Sequence, residues 1–166
     1  MHRSATAAAS LGWFVTVGGA FGVLLPYLLN DWDFHQPLPY WAVARGAGVL
    51  LICAGLVPLV DSFVEFFKAG GTPVPMASPP RLVVTGFYRY VRNPIYAGFL
   101  VILIGQTLLF GSPGMLTYTI IAWAVGAAAV RFYEEPALVR KFGADYQAYR
   151  GAVRAWLPRL RPWELS

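Results

Sequence analysis

The residues able to do chemistry in this 166-residue chain gather in two stretches. The first is Gly86-Phe87-Tyr88-Arg89-Tyr90-Val91-Arg92-Asn93-Pro94-Ile95-Tyr96-Ala97-Gly98, where basic and aromatic residues stop against an uninterrupted apolar run. Asn93 is a good N-cap, and Pro94 suits the first helical position because its missing N–H would be unpaired there and its φ is already helical. The N–H groups of that first turn, with Arg89 and Arg92 just ahead of them, would attract a carboxylate or phosphate. The second stretch runs from Arg131 to Tyr149 and contains Glu134-Glu135, adjacent carboxylates that can accept from an ammonium or a hydroxyl. Tyr88, Tyr90, Tyr96 and Tyr133 add stacking faces and hydroxyls. Together these groups suit a zwitterionic, nucleotide-like ligand. By themselves the arginines and tyrosines also read as interfacial anchors and the glutamates as a solvated helix end. No metal site is expected: Cys53 stands alone inside an apolar run, so neither an intrachain disulfide nor a cysteine–zinc cluster can form.

The elements that position these stretches follow from composition. The chain is 57% hydrophobic and 13% charged, against about 25% charged in soluble domains, and reads as a single integral membrane domain over residues 1–166. Four apolar stretches fit four spans, at about 11–29, 40–60, 95–110 and 115–133. The first ends in Asn30-Asp31-Trp32-Asp33 rather than a cleavage site and is expected to stay as an anchor. Its Gly18 and Gly22 permit close packing. Tyr40 and Trp41 open the second span at the interface, and Pro58 is expected to kink it. Arg45, one turn inside that span, is either functional or snorkels outward to Asp31 or Asp33. Asp61 to Asn93 mixes charges with Gly70-Gly71 and four prolines and is expected to be a long non-spanning connection. Gln106 in the third span is expected to hydrogen-bond a neighbouring helix. Gly111-Ser112-Pro113-Gly114 predicts a tight turn that makes the third and fourth spans a hairpin. Gly126-Ala127-Ala128-Ala129 either lets helices approach or leaves room for a ligand. Beyond Tyr133, apolar residues at spacings of three or four, from Leu138 to Val153, predict an amphipathic interfacial helix weakened at Gly143 and ended or kinked by Pro158.

The charge balance of +5 does not indicate nucleic acid once positions are read. Arg3 precedes the first span, four basic residues lie between Asp61 and Asn93, seven lie from Arg131 onward, and none lies in either outer loop. The positive-inside rule then sets both termini in the cytoplasm. The expected fold is all-α: a bundle of four transmembrane helices with a cytoplasmic loop and a C-terminal amphipathic helix. Residues 81–98 and 131–149 share the cytoplasmic face, so one site can form between them. A ligand such as S-adenosylmethionine could set its carboxylate against helix-start N–H groups or Arg92, and its ammonium or ribose hydroxyls against Glu134 or Glu135.

The first stretch, extended to Leu82-Val83-Val84-Thr85, resembles the G-x-Y-x-x-x-R-[HN]-P-x-Y signature of the isoprenylcysteine carboxyl methyltransferases and related phospholipid methyltransferases. Glu134-Glu135-Pro136-Ala137-Leu138 through Phe142-Gly143 to Tyr146 and Tyr149 resembles their E-E-x-x-L-x-x-x-F-G-x-x-Y-x-x-Y signature. The resemblance covers Gly71 to Pro158. It implies S-adenosylmethionine as cofactor, with contacts from Leu82, Val83, Tyr88, Asn93, Pro94, Ile95, Tyr96 and Glu134. It also implies a substrate-side arginine near Arg131, and a lipophilic or lipid acceptor drawn from the membrane. Asn93 stands where the isoprenylcysteine enzymes have histidine, and Arg131 is displaced by one position from their arginine. Methyl transfer of this kind is an in-line attack on a sulfonium methyl, so the protein mainly aligns the reactants and excludes water. A carboxylate acceptor needs no general base, whereas an amine would, and Glu135 is the residue placed for that role.

Two other classes compete. Membrane sterol and steroid reductases, which use a nicotinamide cofactor, carry R-[HN]-P-x-Y-x-G-E, but here Gly98 is followed by Phe99. A non-catalytic membrane protein would bind neither cofactor.

Overall fold

The structure is a computed structural model that describes residue 12 and residues 15–69 and 79–164. The expected start of the first span at Leu11 and the loop from Gly70 to Ser78 lie outside these residues. Among the described residues there are helices and no strand. They are α1 (Val15–Asn30), α2 (Ala42–Lys68), α3 (Pro94–Phe110), α4 (Pro113–Ala129) and α5 (Glu135–Ala152). A π turn, Val130–Glu134, makes α4 and α5 continuous. α2 and the joined Pro113–Ala152 helix are long and apolar enough to cross a membrane, while α1 and α3 are shorter apolar helices.

α2 and α3 meet along a seam of glycines. Gly48 faces Gly105 and Gly55 faces Gly98, so that a Cβ on any of the four would lie 2.5–2.6 Å from the opposite glycine's carbonyl oxygen. Both helices carry the pair at a spacing of seven, two turns, which keeps each glycine on the same face. Backbones that touch in this way gain dispersion contact where lipid offers no hydrophobic driving force.

α1 docks through polar contacts that its own proline creates. A π turn at Ala20–Leu24 is followed by Leu25-Pro26, and Pro26 has no N–H to offer the preceding turn. The expected interhelical bond of Gln106 is made here, Nε2 donating to the Gly22 carbonyl at 2.8 Å, and the Tyr118 hydroxyl of α4 donates to the Phe21 carbonyl at 2.5 Å. Of the Gly18/Gly22 pair, Gly22 is buried, and a Cβ on it would lie 3.3 Å from the Phe99 ring of α3.

The α3–α4 hairpin turns as expected. Gly111 ends α3 in the left-handed region at φ 65°, and the Ser112 hydroxyl accepts from Met115 N–H at 3.4 Å to cap α4. Farther along the pair, the Thr107 and Thr119 hydroxyls lie 3.0 Å apart. Gly126 meets the Tyr96 ring, so at that position the run of small residues brings helices together.

Four local expectations are corrected. α2 does not end near Val60 but continues to Lys68. Pro58 is accommodated within it because its ring packs on Gly98 and the Ser62 hydroxyl donates to its carbonyl at 2.6 Å, while the last two turns are stabilised by a Glu65–Lys68 pair. The C-terminal helix ends at Ala152 rather than near Pro158, because the chain turns extended at Val153 to pair with the segment before α3. Arg45 reaches neither Asp31 nor Asp33: its Nη2 donates to the His35 carbonyl at 3.0 Å and its guanidinium lies over the Phe34 ring. Asn93 precedes α3, but its side chain caps nothing there; Nδ2 donates to the Ala155 carbonyl at 3.0 Å. The expected weak point at Gly143 is present as a break in α5, with φ 53° and ψ −122°, a conformation that a side chain disfavours.

Candidate active site

The site is built on a layer that wraps the C-terminal ends of α2 and α4 and the start of α3. Gly86 opens a single 3-10 turn, Gly86–Arg89, at φ 56°, and a side chain there would collide with the Asp61 carboxylate. Asp61 Oδ2 accepts from Phe87 N–H at 2.9 Å, and Glu65 accepts from the Thr85 hydroxyl. The C-terminal extension of α2 therefore holds the turn that leads into Arg92-Asn93-Pro94. On its other side the turn is fixed by α5, where the Tyr149 hydroxyl donates to the Tyr88 carbonyl at 2.6 Å. Tyr146, Tyr149 and Val153 form a buried cluster with Leu82, Val84, Leu138, Phe142 and Trp163 against it.

The chain after α5 closes the layer as a strap. Arg92 N–H donates to the Arg154 carbonyl, Arg159 N–H to the Tyr90 carbonyl and Trp163 N–H to the Arg89 carbonyl, each at 2.9 Å. Arg89 returns a bond to the Trp163 carbonyl and pairs with Glu164. The Trp156 ring meets Tyr96 edge-on at 6.3 Å.

The adjacent glutamates part company within this frame. Glu134 is half-buried at the end of the π turn that joins α4 to α5, where it accepts from the Tyr96 hydroxyl. Burial raises its carboxyl above the usual range, and the Tyr96 bond opposes that rise. Among the described residues no cation lies within ion-pair distance of it. Glu135 is buried and surrounded by arginines, with Arg92 at 2.7 Å, Arg150 at 3.4 Å and Arg131 at 3.8 Å. Arg92 also donates to the Tyr146 hydroxyl at 3.2 Å, and its Nε is a buried donor with no acceptor among the described residues. The three guanidiniums outnumber the carboxylate, so this flank is electropositive, and Arg131 and Arg150 are accessible on it, with 65% and 41% of their side chains exposed.

Between α3, α4 and the strap lies a cleft of about 20 Å³, lined among others by Tyr96, Leu103, Ala122, Trp123, Gly126 and Trp156. It has room for about one water molecule. Of the site residues expected from sequence, Tyr96 lines this cleft, and Glu134 is bonded to Tyr96. Arg92, Glu135 and Arg131 gather on the electropositive flank. Leu82, Val83 and Tyr88 pack into the layer behind the turn, Tyr88 edge-on to Phe66, while Pro94 is buried and Ile95 half-buried at the start of α3. Sequence reasoning passed over Arg150, Trp156, Asp61 and Glu65. The seven-residue spacing of glycines was visible in both helices, but the strap carries no periodic signal that could have announced its contact with residues 89–93.

Comparison with known proteins accords with this arrangement. The phospholipid methyltransferase family matches residues 43–145. A probable protein-S-isoprenylcysteine O-methyltransferase of Oryza sativa subsp. indica is 32% identical over 143 residues, covering 81% of this chain and 71% of its own. Protein-S-isoprenylcysteine O-methyltransferase A of Arabidopsis thaliana is 32% identical, with 81% and 69% covered. The corresponding enzyme of Schizosaccharomyces pombe is 35% identical over 80 residues, 48% of this chain and 34% of its own. No solved structure matches the chain. The family match runs from α2 into the second half of α5 and takes in the Gly86 turn, Asn93-Pro94, Tyr96 and the divided glutamates, and the chain belongs to the phospholipid methyltransferase family, as a membrane methyltransferase related to the isoprenylcysteine O-methyltransferases.

Proposed function

We propose that the protein crosses a membrane with four helices, keeps both termini in the cytoplasm, and at that face moves a methyl group from S-adenosylmethionine to a lipophilic acceptor. The observation that carries this reading is Glu134, a half-buried carboxylate held by Tyr96 with no cation to neutralise it among the described residues. An ammonium or a pair of ribose hydroxyls is the complement that such a group lacks. The orphaned Arg92 Nε is a second fit, a buried donor suited to a carboxylate oxygen.

S-adenosylmethionine, when bound, supplies a methyl carbon activated by the adjoining sulfonium. The chain's residues bind and orient it: Glu134 and Tyr96 at one end, Arg92 at the other, and Asn93, Pro94 and Ile95 at the start of α3, with Leu82, Val83 and Tyr88 backing the turn. A cleft of 20 Å³ is far smaller than the roughly 300 Å³ or more of ordinary ligand pockets, so the strap at Trp156 must yield when a ligand enters. Its return excludes water. Arg131 and Arg150 are assigned the acceptor's anionic head. Glu135, whose Oε1 accepts from Arg92 and whose Oε2 lies 3.4 Å from the Arg150 guanidinium, orients Arg92 and Arg150; a carboxylate acceptor is already ionised at neutral pH and asks no base of it. The acceptor's apolar portion stays in lipid, each buried CH₂ contributing about 0.8 kcal/mol.

The test is calorimetric titration of the purified protein with S-adenosylmethionine and with NADPH. Labelled methyl transfer is then measured to a farnesylcysteine analogue, phosphatidylethanolamine and their short-chain counterparts. Binding of S-adenosylmethionine alone and transfer restricted to long-chain acceptors are expected. Binding of NADPH instead would return the reductase, and no binding of either would leave a non-catalytic protein.

A further inference from the structure

The apolar stripe of α5, which its spacing marks for a membrane surface, is used inside the molecule: Tyr146 and Tyr149, with Val153 just beyond the helix, are buried against Leu82, Val84 and Trp163. Uncovered apolar side chains lie on the strap instead. Its backbone is held at three places: the Arg154 and Ala155 carbonyls accept from Arg92 N–H and Asn93 Nδ2, Arg159 N–H donates to the Tyr90 carbonyl, and Trp163 N–H donates to the Arg89 carbonyl. Between these points stand two leucines without cover, Leu157 at 63% exposure and Leu160 fully exposed. Three arginines accompany them. Arg154, Arg159 and Arg161 make no ion pair among the described residues, and the carboxylate of the strap, Glu164, is taken by Arg89.

The strap lies where the apolar helices begin and end. Trp156, next to Leu157, meets the Tyr96 ring in the first turn of α3 and lines the cleft with Leu103 and Trp123. Tyr96 also bonds Glu134, which follows Phe132 and Tyr133, and exposed aromatic residues of that kind gather at a membrane–water boundary. We propose that Leu157, Leu160 and the arginines beside them dock the strap on an anionic lipid surface. The leucines enter the acyl boundary, while Arg154 and Arg161, both exposed, take head-group phosphates. Charge selects the occupant: cations whose neighbouring carboxylate is already paired complement an anionic head group, and a second copy of this face would meet them with like charge. The proposal rests on the reading that the helices cross a membrane and is independent of methyl transfer.

The test places single cysteines at Leu160, Gln147 and Val125 in a Cys53→Ala background, each carrying a polarity-sensitive fluorophore, in vesicles of phosphatidylcholine alone or mixed with phosphatidylglycerol. Gln147 is exposed on α5 and Val125 is exposed on the apolar α4, so they serve as the water and lipid references. The Leu160 probe should be shifted to the blue and quenched by lipids spin-labelled near the head group, as the Gln147 probe should not. In mixed vesicles, spin-labelled phosphatidylglycerol should be enriched at it over spin-labelled phosphatidylcholine, by up to about fivefold for each arginine engaged. Arg154→Gln combined with Arg161→Gln should abolish that preference and leave the probe shielded. A Leu160 probe as open to water as the one at Gln147, while the Val125 probe is shielded, would overturn the proposal, as would equal quenching by the two lipids or a preference that survives loss of both arginines. A Val125 probe open to water would defeat the membrane reading itself, and the docking surface with it.

Discussion

Substituting Gly55 by alanine tests whether the layer that bears the site takes its position from the α2–α3 seam. A Cβ at Gly55 would lie 2.5 Å from the Gly98 carbonyl oxygen and 2.8 Å from Ile102 Cγ1, whereas ordinary contact begins near 3.4 Å. The obstacle at Gly98 is helix backbone, so the helices must part by about 0.9 Å, the difference between 3.4 and 2.5 Å. Overpacking of this kind costs about 1–3 kcal/mol. The displacement also reaches the site, because Gly98 lies one turn beyond Pro94 and α2 holds the Gly86 turn through Asp61. Gly46 is the control: on the same helix, with nothing within 4 Å of its Cβ, Gly46→Ala should be neutral or stabilise by up to about 1 kcal/mol. Thermal unfolding of the detergent-solubilised protein, followed by circular dichroism, should place Gly55→Ala several degrees below wild type and Gly46→Ala at or above it. S-adenosylmethionine affinity should fall in Gly55→Ala alone. Equal midpoints for the two variants would refute the seam as the determinant of helix position.

Glu134→Ala should weaken S-adenosylmethionine binding by ten- to more than a hundredfold, about 1.5–3 kcal/mol for a charge-assisted hydrogen bond, and unchanged calorimetric affinity would remove Glu134 from the site. Because burial raises the Glu134 carboxyl, its contribution is present above that raised pKa and is lost as pH falls through it, at a higher pH than for an ordinary carboxylate. Tyr96→Phe removes the opposing hydrogen bond and should move the loss to still higher pH; identical pH–affinity curves in wild type, Tyr96→Phe and Glu134→Gln would exclude this coupling. Arg131→Ala should raise the acceptor KM or lower kcat while sparing cofactor affinity, as read by labelled-methyl kinetics and calorimetry on one preparation. In a Cys53→Ala background, a cysteine at Asp33 should react with an impermeant thiol reagent in intact cells and one at Ala144 should not, and the reverse pattern would invert the topology.

What the sequence determined by itself is whatever depends on local chemistry and spacing. Apolar runs between charged stretches marked the helices, Pro94 and Gly111 marked ends of α3, and the two motifs marked the family, because each is written in neighbouring residues. The tertiary structure decided the partners. Glu134 and Glu135 are adjacent in sequence yet one meets Tyr96 and the other Arg92, because successive helical residues point about 100° apart and face different neighbours. Asn93 had the type and place of an N-cap, but the Ala155 carbonyl, 62 residues away, claims its amide. Asp61 and Glu65 looked like the charged end of a span and instead extend α2 as the support for the Gly86 turn, since α2 is stabilised by α3 beside it and by what those carboxylates accept. The strap of residues 153–164 has no hydrophobic period to reveal it. Its order comes from backbone bonds to residues 89–92, and a backbone donor carries no mark of its partner in the sequence.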